Sequence, residues 1–144
     1  MTNEDTFSLL KECDAGVKMA TDSLDDVRDY AKTPEMRALL NTSRQQHEWI
    51  GREVQDMLLK CGGKEKEPHP VARKMASMKT NAKLTVNNSE QNVAELIADG
   101  CDMGVKSLNG YLEQYKGAEV PARALCRTLV AVEQQLGTEI RQFF

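Results

Sequence analysis

The chain carries one amphipathic pattern twice. Cys13-Asp14-Ala15-Gly16-Val17-Lys18 returns as Cys101-Asp102-Met103-Gly104-Val105-Lys106, and Leu24 returns as Leu112 at the same spacing of 88. Further along, the spacing is 86. Arg37-Ala38-Leu39 returns as Arg123-Ala124-Leu125, and Gly51, Glu53 and Val54 return as Gly137, Glu139 and Ile140. The change of two falls between the paired segments, where a turn tolerates it. Each copy reads as two amphipathic helices. One such hairpin leaves its apolar face bare, and two of them close a bundle around a shared interior.

Apolar residues at spacings of three and four define the helices. The first runs over 3–31, with Leu10, Cys13, Val17 and Leu24 on its stripe. Thr33-Pro34-Glu35 then supplies a cap, a first-turn proline and a first-turn acid for a second helix over 34–61, which Gly62-Gly63 stops. Asn87-Asn88-Ser89 caps a third over 89–116, and Pro121 opens a fourth over 121–144. The expected fold is therefore all-α: a single four-helix-bundle domain over 1–144, made of a hairpin over 3–61, a connector over 62–88 and a hairpin over 89–144. Inside the connector, Val71, Met75, Met78 and Ala82 trace a short extra helix with a basic outer face. The connector is too long for a simple turn and fits a crossover along the bundle. An up-down-up-down path with the extra helix packed against it is the alternative.

Composition excludes several classes. The net charge of −3 gives no basic field for nucleic acid. No segment approaches the ~20 apolar residues of a membrane span. The polar stretch Met1 to Asp5 is unlike a secretion signal. Cys13, Cys61, Cys101 and Cys126 include no C-x-x-C pair and read as reduced, buried thiols of a cytoplasmic protein. A Cys13–Cys101 disulfide would need the first and third helices side by side; Cys61 and Cys126 belong to different helix ends. His69, between two prolines, reads as an exposed loop residue.

The Cys-Asp-Ala-Gly start of the first repeat, Arg37-Ala38-Leu39-Leu40 through His47-Glu48, the Cys61-Gly62-Gly63 stop, the connector helix and the second hairpin carry a resemblance. The chain resembles the ferritin-like superfamily, and within it a bacterial four-helix-bundle family with a domain of unknown function. Di-iron members of such folds use a Glu from each of two helices and Glu-x-x-His from each of the others. This chain departs from that pattern. With His47 as the histidine, the Glu position holds Arg44; its repeat mate Glu133 stands where the second His would be, behind Val130. Reading Glu133 as the Glu puts Leu136 in the His position.

A polar layer is nonetheless expected halfway along the bundle. His47, Asp102 and Glu133 fall near the midpoints of their helices, and Asp14 within about a turn of its own. Buried charge needs a partner, water or a metal. Asp14, His47, Asp102 and Glu133 would suit iron or manganese; Cys13 and Cys101 with His47 and Glu133 would suit zinc. The competing account is an internal cluster, with His47 on Glu133 and the aspartates turned to water. Gly16, Gly51, Gly104 and Gly137 interrupt the helices, each at roughly 0.5–1 kcal/mol relative to Ala. Close helix packing explains them better than room for a ligand.

No phosphate loop, nucleophile elbow or Ser-His-Asp arrangement is present, so the sequence offers no catalytic residues. Two functional expectations follow: a non-enzymatic ferritin-like bundle acting by self-association or on a protein partner, or a ferritin-like protein holding iron, manganese or zinc in a degenerate midplane site.

Overall fold

The structure is a computed structural model and describes residues 3–62 and 88–144. Helix α1 spans Glu4–Val27 and runs into a 3-10 turn over Arg28–Tyr30. Helix α2 spans Pro34–Lys60, α3 spans Glu90–Gln114 and α4 spans Val120–Ile140, followed by a 3-10 turn over Arg141–Phe143. All four helices anticipated from the repeat are present, and no strand occurs among the described residues. The first and last helices end a turn earlier than expected, each tightening into 3-10 geometry. The connector helix, His69, Met75 and Met78 lie outside the described residues.

Local chemistry sets the boundaries. The Asn3 side chain caps α1 by accepting from Thr6 N, Thr33 caps α2 through Met36 N, and Ser89 caps α3 through Asn92 N. Each satisfies a first-turn N–H that would otherwise lack a partner. Gly62, at φ +71°, ends α2 in the left-handed region that favours glycine.

Two sets of hydrogen bonds tie the hairpins together and fix the chain directions. At the lower end, the start of α1 meets the α3–α4 turn. Gly117 N donates to Asp5 Oδ2 at 3.0 Å, Glu119 N to Thr6 Oγ1 at 2.7 Å, and Asn3 Nδ2 to the Gly117 carbonyl at 2.7 Å. At the upper end, the Glu90 carboxylate at the start of α3 accepts from Lys32 N at 2.9 Å and Thr33 N at 2.8 Å. Helices α1 and α4 therefore run up, and α2 and α3 run down. The end of α2, where Cys61 packs with Leu58, shares the lower apolar cluster with Leu9 and Ala118, whereas α3 begins at the upper end. That is the crossover order. Around the bundle the sequence is α1, α2, α4, α3, with α1 and α4 also touching across a diagonal.

The interior divides into two apolar clusters. The lower holds Leu9, Val17, Ile50, Val54, Leu108 and Leu129, among others. The upper holds Leu24, Leu40, Val93, Ile97, Leu136 and Ile140, among others. Between them, α2 contributes Ser43 and His47, and α4 contributes Glu133; all three are buried. A buried polar layer lies where the two clusters part, and of the four residues expected in it, it holds His47 and Glu133.

Candidate functional site

His47 and Glu133 are repeat mates and touch. Nε2 of His47 donates to Oε1 of Glu133. On the other side of the ring, Nδ1–H donates to the Ser43 carbonyl at 2.7 Å, with Ser43 Oγ at 3.4 Å. A carbonyl can only accept, so Nδ1 carries a proton; Nε2 faces a carboxylate, and when it too is protonated the imidazolium is held by two acceptors. Burial alone drives its pKa down, but the hydrogen bond and charge of Glu133, helped by the Ser43 carbonyl, outweigh this and leave His47 more basic than usual.

Cys101 stands next to this pair: burial pushes its thiol far up, and the charge of Glu133 pushes it further, so it stays protonated. Space for the carboxylate comes from Gly104, where a Cβ would stand 3.4 Å from Glu133 Oε2. On α4, Gly137 lets Cys101 in: an added Cβ there would lie 3.3 Å from Cys101 Cβ. Gly51 admits Val17 in the same way, at 3.0 Å. These three glycines serve close packing, as expected, whereas at Gly16 the nearest atom is 4.0 Å away.

The other expected members of the layer are elsewhere. Gly51 lies against Val17 in an antiparallel pair, which sets His47 level with residues 20–21 of α1. Asp14 is therefore about seven residues lower, or roughly 10 Å along the helix. It is not turned to water: it is buried and ion-paired to Lys18 at 3.0 Å, one turn on. Asp102 has the right height and the wrong bearing. One residue past buried Cys101, it points about 100° round the helix, is exposed, and pairs with Arg141 at 3.1 Å. Cys13 does not face Cys101; it shares the lower cluster with Cys126, and its interaction with that thiol together with burial holds the Cys13 thiol protonated. No disulfide joins Cys13, Cys61, Cys101 or Cys126. Among the described residues, no group of three or more His, Cys, Asp or Glu is arranged to hold a metal ion.

The sequence reading passed over the outer face above this cluster. Trp49 is 51% exposed. It lines an open groove of about 400 Å³ between α2 and α4 with Thr42, Gln45, Gln46, Thr128 and Val132. The residues that line the groove carry no charge, and Glu139, which accepts from Gln135 Nε2 at 3.2 Å, stands close to it on α4. The available signal was an aromatic residue off the core stripe, two positions after His47. Met103, exposed on the opposite side of the bundle, stands instead between Asp99 and Lys106 on its helix.

No family model and no curated protein matches the chain. A solved structure does share its fold, with a TM-score of 0.77 over 98% of this chain and 95% of the other, at 16% identity. It is the crystal structure of a DUF305 fragment from Deinococcus radiodurans. The helical bundle is thus the fold of a domain of unknown function. The likeness to the DUF305 fragment bears on the fold alone. No helix among the described residues is long and apolar enough to cross a membrane.

Proposed function

We propose that this chain is a non-enzymatic ferritin-like bundle that acts by association, with the α2–α4 face as its docking surface. The observation that carries this reading is Trp49, half exposed beside an open groove lined by uncharged side chains. Docking sites characteristically combine an aromatic anchor with few charges at their centre. The interior supports the same reading. His47 and Glu133 spend their charge on each other, so the midplane is a fastener between α2 and α4. A bound iron, manganese or zinc ion would first have to separate them.

The test is a photo-reactive amino acid at Thr42, in cells that make the chain naturally. Adducts should form there and be absent when the same group replaces exposed Ser23 on α1. No adduct at Thr42, or equal yields at both positions, would end the docking reading.

A further inference from the structure

We infer that the outer face of α1 is a docking surface whose occupant is residues 63–87 of the same chain, with their apolar residues over Ala15 and their lysines among the acids of that face. The inference concerns a different face from the docking reading above and does not rest on it.

The two ends of the segment leave two routes. Gly62 closes α2 at the lower end, and Ser89 caps α3 at the upper end. Helices α2 and α3 stand on a diagonal of the bundle. A chain that joins them must climb the full height and pass outside either α1 or α4. The 27 residues of α2 make that height about 40 Å. A wholly helical segment over 63–87 would span about 38 Å, so a stretch of helix with extended ends covers the climb.

Burial decides between the routes. On α4, Ala124, Arg127, Ala131, Gln134 and Thr138 leave the outer side exposed at every turn. On α1, residues 5–18 include no exposed position. The bundle accounts for only one side of that stretch: Val17 lies against Gly51 of α2, and Gly16 faces Leu108 of α3. Ala15 points away from both. It is two residues from Cys13 and from Val17, about 200° round the helix from each, yet it is only 8% exposed. Its repeat mate Met103, on α3, is 71% exposed. Asp14 and Asp102 show the same contrast, the first buried and the second exposed. Met1 and Thr2 cannot supply the cover: two residues reach about 7 Å, and Ala15 is about 18 Å along the helix from Asn3.

Charge points the same way. Over Glu4–Val27, α1 carries seven acids and two lysines, whereas α4 carries two of each sign. Those lysines are engaged within the helix, Lys18 by Asp14 and Lys11 over the Phe7 ring. Glu12, Asp22 and Asp26 are half-buried, and carboxylates withdrawn from water call for cations. Residues 71–87 offer Arg73, Lys74, Lys79 and Lys83 and no acid. Val71, Met75, Met78 and Ala82 recur at helical spacing, with Lys74 and Lys79 to either side. An apolar stripe flanked by lysines matches a small apolar side chain set among carboxylates. The segment and α1 climb in the same direction, so lower lysines meet lower acids.

Carbodiimide cross-linking of the full chain, read by mass spectrometry of the monomer band, tests this. Amide bonds should join Lys74 to Glu12, and Lys79 and Lys83 to Asp22 and Asp26. No bond from these lysines to α1, or bonds to Glu139 on α4 instead, would overturn the inference.

The repeat mates give a second test. Trypsin should cut after Lys79 and Lys83 about tenfold faster in Ala15→Glu, where a charge is forced under the segment, and at the parent rate in Met103→Glu. Equal rates in the two variants would also overturn it. If Ala15→Glu does not fold, Asp22→Lys combined with Asp26→Lys takes its place, with the same expected acceleration and the same contrary result.

Discussion

At the residue scale, the fold turns on one buried ion pair. Removing one member of such a pair strands the other's charge, at about 3–5 kcal/mol, whereas replacing both by apolar groups of similar volume is often neutral or better. Glu133→Leu should therefore destabilise the bundle by roughly that amount, and His47→Leu combined with Glu133→Leu should cost less than Glu133→Leu alone. Urea titrations of the variants check the order. The pair also sets a pH dependence. The pKa of His47 is raised above its unfolded value of 6.5. Its contribution is therefore complete below that pH and is lost as pH rises through the folded value. Unfolding free energies should fall across that window in the parent, and the slope should flatten in the His47→Leu, Glu133→Leu double variant. The pairing of His47 with Glu133 was legible as a meeting of repeat mates. The absence of Asp14 and Asp102 was not. A helix midpoint gives height only to within a turn and says nothing of bearing, and one residue of rotation is what turns Asp102 outward.

At the scale of the helices, caps and breakers were the most legible features. Thr33-Pro34 and Ser89 start α2 and α3 where the sequence placed them, and Gly62 closes α2. Contact between Cys13 and Cys126 was not foreseeable. It depends on how closely α1 and α4 approach across the diagonal, which small residues such as Ala122, Cys13 and Cys126 permit. Glycines separate propensity from packing. Gly100 and Gly110 have nothing within 4 Å of an added Cβ. Changing either to Ala should raise stability by up to ~1 kcal/mol through helix propensity. Gly51→Ala gains the same propensity but places its Cβ 3.0 Å from Val17 Cγ1, on a stiff, buried side chain. Overpacking of this kind costs about 1–3 kcal/mol, so the net change should be a loss. Thermal melts of the three variants measure the contrast.

For the whole molecule, the repeat sufficed to give a helical bundle, and the chain directions follow from the clamps at Glu90 and Gly117. The proposed docking face was less legible, because the groove beside Trp49 forms only when Thr42 and Gln46 of α2 are laid against Thr128 and Val132 of α4. The account places the reactive-looking residues inside, satisfied by each other, and the working surface outside. Nitrogen-15 NMR of the His47 ring, recorded at neutral pH before and after adding iron(II), manganese(II) or zinc(II), tests this most directly. The account predicts protons on both ring nitrogens and no change on adding metal. A ring that gives up its Nε2 proton to a stoichiometric ion would contradict it.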